Sequence, residues 1–122
     1  MKIENIKFKA KRLDNGKWIE GDLIHKETYV CIGYLSREIP NITRVHKVAP
    51  DTVCMFTGLT DKNGTPIYEG DIVMHKDNNA ERRGDINWDS KAAAFCFGQD
   101  FLFHYSSEYM VVIGNKFDKK EA

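Results

Sequence analysis

Long apolar runs are missing from this 122-residue sequence. None approaches the roughly 20 residues that cross a bilayer, and no leader-type segment opens the chain, so no membrane role is expected. Cysteine is scarce: Cys31, Cys54 and Cys96 stand far apart, with no C-x-x-C pair. An odd count at such spacing argues against a disulfide framework and for free thiols in a reducing cytosol. Each lies in an apolar run such as Val30-Cys31-Ile32, where cysteine behaves as a small core hydrophobe. Net charge is also absent, because 18 Lys and Arg balance 18 Asp and Glu. That removes the long-range attraction on which non-specific nucleic-acid binding depends. The sequence contains no G-x-x-x-x-G-K-[ST], no G-x-G-x-x-G and no G-x-S-x-G, which excludes the common nucleotide-binding and hydrolase signatures.

What is present is short, alternating and rich in turn residues. Ile6 to Lys11 alternates apolar residues with Lys7, Lys9 and Lys11, the period of a half-buried strand. Asp14-Asn15-Gly16 then predicts a turn and Trp18-Ile19 a returning strand. Asp22–His25, Thr28–Leu35, Thr43–Val48 and Val53–Phe56 are further strand candidates. Pro40 and Pro50 punctuate the weakly patterned stretch from Ser36 to Ala49. Asp77 to Gly84 is too polar for a core and reads as an exposed loop. Beyond it, Asp85–Trp88, Ala92–Phe97, Phe101–Tyr105 and Tyr109–Ile113 form four short apolar pieces at close spacing. Helix content is expected to be low, and the spacing favours a small barrel or sandwich. With 122 residues one domain suffices, burying about two-thirds of its unfolded surface.

The densest information lies in residues 57–73, Thr-Gly-Leu-Thr-Asp-Lys-Asn-Gly-Thr-Pro-Ile-Tyr-Glu-Gly-Asp-Ile-Val. Asn63-Gly64 is a favoured pair where both central residues of a hairpin need positive φ. Pro66 lets the chain re-enter a sheet only at an edge or a strand start. Gly70-Asp71 before Ile72-Val73 reads as a bend into a buried strand, with the Asp71 carboxylate set to accept a nearby backbone N–H. On this reading Asp71 builds a turn and is not a catalytic acid.

Several residues carry possible chemistry. His25, His46, His75 and His104 show neither H-x-x-x-H nor a close His/Cys pair, so any metal site would have to be assembled by the fold. Asp51 and Asp118-Lys119-Lys120 supply the residue types of a metal-dependent nuclease, but at long separation and with the second group in a charged tail. The first 17 residues carry Lys2, Lys7, Lys9, Lys11, Arg12 and Lys17 against Glu4 and Asp14, a surplus of 6 − 2 = 4 positive charges. The lysines of the first strand either guard a sheet edge or track phosphate. A hairpin through the 77–84 loop would bring Arg82, Arg83 and Trp88 near His75 and Lys76. Arg and Trp are residue types enriched at binding hot spots. The plainer alternative is a core Trp88 with solvated arginines.

The segment Gly58-Leu59-x-Asp61-Lys62-Asn63-Gly64-x-x-Ile67-x-Glu69-Gly70-Asp71-Ile72-Val73 resembles the signature of YopX-type phage and prophage proteins. Lys7–Ala10, Gly21–His25 and Val112–Asn115 resemble that family's opening, second and closing stretches, so the likeness runs nearly end to end. It implies an SH3-type small β-barrel around the central motif, and the weak patterning from Ser36 to Ala49 adds a soft division of the single 1–122 domain into an N-terminal β-hairpin region (1–49), that barrel (50–115) and a charged tail (116–122). It also implies a home in mobile elements and the bacterial host cytoplasm. It implies no activity and no cofactor, and Gly58, Asp61, Asn63, Gly64, Gly70 and Asp71 carry over only as a structural motif.

The expectation is therefore a non-enzymatic binding module acting through a protein partner or through self-association as a homo-oligomer. Two alternatives stand beside it: a nucleic-acid binder using Lys7, Lys9, Lys11, Arg82 and Arg83, and a metal-dependent hydrolase or nuclease.

Overall fold

Alternation decides the first strands. In the computed structural model, which describes residues 2–118, Phe8–Lys11 form β1 and Trp18–His25 form β2, paired antiparallel from Phe8 opposite Gly21 to Lys11 opposite Trp18. The expected turn joins them, with Gly16 at φ 70° and the Asn15 side chain accepting the Lys17 N–H at 2.9 Å. β3 (Val30–Leu35) and β4 (Thr43–Val48) continue the meander. A 3-10 turn at Pro50–Thr52 leads to β5 (Cys54–Thr60), which returns to β1. The Thr52 hydroxyl accepts the Lys11 N–H at 2.9 Å and donates to the Ala49 carbonyl at 2.7 Å.

The chain divides into two compact units, Met1–Phe56 and Thr57–Ala122. The division drawn from sequence at 49/50 falls earlier, and Thr52 gives the reason, because it ties the Pro50 turn to β1. In the first unit the strand order is β4-β3-β2-β1-β5. Ala10, Ile32 and Val48 form its core, flanked by Phe8, Ile19, Leu23, Val30 and Val53. A single bridge between Arg12 and Val48 brings the end of β4 back to the end of β1. Gly21 permits the closest approach here: a Cβ at that position would stand 2.2 Å from the Gly33 carbonyl oxygen.

The second unit begins on the later residues of β5, which pair with β6 (Pro66–Tyr68). Pro66 is the first residue of its strand, as its missing N–H requires. β7 (Asp71–Lys76), β8 (Glu81–Asp89), β9 (Ala94–Phe97), β10 (Asp100–Phe101) and β11 (Met110–Asn115) form a five-stranded antiparallel sheet in the order β10-β9-β8-β7-β11. Two 3-10 turns, Leu102–His104 and Ser107–Tyr109, precede β11. Both units contain a four-strand meander, β1–β4 and β7–β10, followed by 3-10 turns (one in the first unit, two in the second) and a strand that pairs with the first of the meander. The core of the second unit is Ile67, Val73, Ile86, Phe97, Leu102 and Met110.

The structure corrects the sequence reading in four places. The pairing of the second sheet ends at β10 and β11 among the described residues, so it is an open sheet and not a closed barrel. The segment expected as a strand over Phe101–Tyr105 is mostly 3-10 turn. A period of two would put residues 101, 103 and 105 on one face, whereas the three-residue turn puts Leu102 and Tyr105 together on the core. The exposed loop expected over 77–84 shrinks to 77–80, because Glu81–Gly84 pair with β7 through backbone groups that side-chain polarity does not disturb. At Asn63-Gly64 only Gly64 has positive φ (82°), so this is not the turn with two left-handed residues.

Mainly β architecture with little helix holds: no α-helix occurs among the described residues, and no helix there is long and apolar enough to cross a membrane. Cys31, Cys54 and Cys96 are buried free thiols. Residues 119–122 of the charged tail, including Lys119 and Lys120, lie outside the described residues.

Candidate functional site

The residues of the 57–73 motif come first, because their bonds decide which of them remain for function. Asp61 is buried and accepts three backbone N–H groups: Asn63 and Thr65 on Oδ1, each at 2.9 Å, and Val112 on Oδ2 at 3.0 Å. Burial pushes its carboxyl up, but the three donors outweigh that and hold it below the ordinary aspartate value. The same carboxylate keeps Asn63 out of the left-handed region by fixing the turn ahead of Gly64. Lys62 N–H to the Met110 carbonyl, at 3.0 Å, completes the docking of this turn on β11.

Asp71 is 1% exposed. It accepts the Tyr68 N–H on Oδ2 at 2.7 Å and Asn115 Nδ2 on Oδ1 at 3.0 Å. It builds its turn as expected, with Gly70 at φ 88°. Asp61, Gly64, Gly70 and Asp71 are therefore turn and clamp residues. Gly58 also takes positive φ, at 88°.

Beyond that motif, β7, β8 and the 102–109 segment build a cavity of about 250 Å³ lined by His75, Asp77, Arg82, Tyr105, Ser106 and Tyr109, with Ala80 and His104. Register makes the pairing: His75 on β7 stands opposite Arg82 on β8 and Met110 on β11. His75 is only 6% exposed. Its ring meets Tyr105 at 5.2 Å and Tyr109 at 5.9 Å, both edge-on at 73°, and Phe97 at 6.5 Å. It makes no hydrogen bond with any described residue. Its ring nitrogens are not among the buried polar atoms left unsatisfied, so the imidazole keeps access to the solvent of the cavity it lines.

Arg82 lies with its guanidinium 5.2 Å from the Tyr105 ring centre and 5.9 Å from that of Phe97. It donates to Asp100 Oδ2 at 3.0 Å and to the Tyr105 hydroxyl, which itself donates to Asp100 at 2.6 Å. The Tyr105 hydroxyl and then Arg82 lower the Asp100 carboxyl, and Asp100 in turn raises the Tyr105 phenol. Asp77 closes the β7–β8 turn by accepting the Asn79 and Ala80 N–H groups at 2.8 and 2.9 Å, which lower its carboxyl.

A second depression shares Tyr105 and Ser106 with this cavity. It is a groove of about 480 Å³ lined by Thr57, Leu59, Ala94, Phe95, Leu102 and Phe103, together with Ser107. Phe103 is 73% exposed and stacks on Phe101 at 5.3 Å. Trp88 stands edge-on to Phe95 at 5.0 Å and is 46% exposed, so it is neither core nor part of the His75 cavity.

Of the residues singled out from sequence, His75 and Arg82 meet in the cavity. Lys76 and Arg83 point along other positions of the hairpin: Lys76 pairs with Glu81 in register, and Arg83 lies 3.6 Å from the Glu81 carboxylate. Gly84 of Arg83-Gly84-Asp85 is explained by packing, since a Cβ there would sit 2.9 Å from the Phe97 ring. Asp100, Tyr105 and Tyr109 were not foreseen. Their only signal in the sequence is the aromatic density of 101–109, which reads equally as a strand.

In the first unit, Lys7 sits over the Phe56 ring at 4.6 Å, and Lys9 and Lys11 sit over Trp18 at 4.9 and 5.4 Å. Their ammonium groups themselves lie over the ring faces, as cation–π contacts. Asp51 is exposed on its 3-10 turn. No three His, Cys, Asp or Glu side chains converge as a metal site among the described residues.

No curated protein and no solved structure matches the chain. The model of the YopX protein family matches residues 7–121, nearly the whole sequence, and the chain therefore belongs to the YopX protein family.

Proposed function

We propose that this protein is a non-enzymatic accessory module of a phage or prophage, working in the bacterial host cytoplasm by binding a protein partner. The observation that carries the reading is the pair of depressions on either side of Tyr105, one apolar and one polar and aromatic. Such a pairing offers an anchor for a buried apolar side chain beside a directional polar site, the anatomy of protein recognition. The buried carboxylates of the second unit support the non-enzymatic part, since Asp61 and Asp71 are spent on holding turns. The meander of the second unit, with its 3-10 turns and a last strand that returns to β7, supports reading the region around residues 50–115 as an open SH3-type module. A second copy of the chain is the other protein that could fill the groove.

Nucleic acid ranks lower for a specific reason. Arg82 is paired with Asp100, Arg83 lies near Glu81, and Lys7, Lys9 and Lys11 rest on aromatic rings. These basic groups already have partners, and phosphate would compete for them.

The test is a tagged pull-down from a host carrying the element, with and without nuclease, comparing the natural chain with Phe103→Ser. A stoichiometric protein that survives nuclease and is lost with Phe103→Ser supports the reading. Recovery of nucleic acid alone, released by modest salt, would replace it with the nucleic-acid alternative. Sedimentation of the pure protein separates a foreign partner from self-association.

A further inference from the structure

We propose that the free edge of β4 takes up an extended acidic segment of a partner protein as an added strand, paired with Thr43 and Val45. The surface belongs to the first unit, shares no residue with the depressions beside Tyr105 and lies beyond that reading.

Backbone groups mark the place. The strands at the ends of the two sheets are β4, β6, β10 and β11. An open end strand is a template for foreign strands, and three of these are blocked. β6 begins at Pro66, which has no N–H, and spends the Tyr68 N–H on Asp71. β10 is Asp100–Phe101 alone and runs straight into a 3-10 turn. β11 gives its Met110 carbonyl to the Lys62 N–H and its Val112 N–H to Asp61. β4 is closed only at its later end, where the Leu13 N–H meets the Lys47 carbonyl and the Ala49 N–H meets the Lys11 carbonyl. The Ser36 N–H on the Ile42 carbonyl sets the phase of the β3–β4 ladder. Ile42, Arg44 and His46 therefore turn their backbone groups to β3, and Thr43 and Val45 turn theirs outward. No hydrogen bond from a described residue occupies those outward groups.

Side chains choose the occupant. β4 carries Arg44 and Lys47 and no carboxylate. Arg44 is exposed, and its guanidinium has neither hydrogen bond nor ion pair among the described residues. On its face stand Tyr34 and His46, and the charges near them, Arg12 and Asp14, pair with each other. Arg37 and Glu38 in the hairpin tip offset one another in charge, so the strand's own cations decide. On the opposite face Val45 is 50% exposed and, with Ile24, flanks the bare backbone of Gly33. An incoming strand thus meets a cation on one face and apolar surface on the other, which selects alternating acidic and apolar residues. A second copy of β4 does not fit. Antiparallel self-pairing about Arg44 sets the two Arg44 side chains opposite each other, and pairing about Val45 needs Lys47, whose carbonyl Leu13 already holds.

The experiment titrates the isotope-labelled full chain with a short capped peptide alternating glutamate and valine, reading backbone amides by NMR. The same peptide with lysine in place of glutamate is the comparison. We expect saturable shifts centred on Thr43, Arg44 and Val45, with the lysine peptide at least about threefold weaker. Arg44→Glu, at an exposed position, should reverse that preference. Val45→Pro removes the outward N–H without touching the β3 ladder and should weaken binding at least about tenfold. Phe103→Ser should bind the peptide as the natural chain does. Equal binding of the two peptides, no saturable shift, shifts centred outside β4, or loss of binding in Phe103→Ser would overturn the proposal. So would a concentration-dependent dimer joined through Thr43 and Val45, since a second copy would then be the occupant.

Discussion

Asn115 donates from Nδ2 to Oδ1 of the buried Asp71 at 3.0 Å, fastening the last strand of the chain to the turn that opens β7. Lys116 N–H to the Gly70 carbonyl at 2.9 Å runs beside it. Two stretches that sequence likeness picked out separately, Gly70-Asp71 and Gly114-Asn115, thus meet as one lock.

Removing that donor should be costly. Asn115→Ala takes one of the hydrogen bonds from a buried carboxylate, and we expect a loss of about 1–3 kcal/mol in unfolding free energy. Asn115→Asp should be worse at neutral pH, since it sets a second carboxylate against Asp71. Denaturant unfolding of both variants checks the order.

Two glycines should resist substitution for reasons of space. Gly21→Ala drives a methyl to 2.2 Å from the Gly33 carbonyl, which is backbone and cannot step aside, whereas Gly84→Ala meets the buried Phe97 ring at 2.9 Å. Overpacking of this kind costs about 1–3 kcal/mol, with Gly21→Ala expected at the upper end or beyond. Thermal denaturation ranks the pair.

Acid should loosen the Asp61 clamp. The folded-state carboxyl lies below the ordinary value of 3.8, so the unfolded chain takes up a proton first as pH falls. The stabilisation is therefore complete above the unfolded value and is lost from about pH 4 downward, through the folded value. Asp61→Asn should be less stable at neutral pH, with a shallower decline on acidification. Stability measured between pH 7 and pH 2 tests the slope.

Phe103 should separate binding from folding. With its side chain largely in solvent, Phe103→Ser should change stability by no more than about 0.5 kcal/mol. Partner capture should nevertheless fall, because the groove loses its exposed ring. A stability change well above that value would mean that the ring supports the fold.

Periodicity and turn chemistry by themselves determined that this is a β protein, where the first hairpin turns, that Pro66 sits at an edge or a strand start and that Asp71 serves a turn. These are local properties: alternation is set by the pleat, and glycine or aspartate at a bend acts within a few residues. Tertiary structure alone decided the rest. Asp61 reaching Val112 and Asp71 reaching Asn115 join residues far apart in the chain, and no local pattern encodes such a partner. The 3-10 turn at Leu102–His104 won over a strand because core packing wanted Leu102 and Tyr105 on one side. The same turn brought Tyr105 to Arg82 and His75, and so made a cavity from residues that in the sequence were only a histidine, an arginine and an aromatic run.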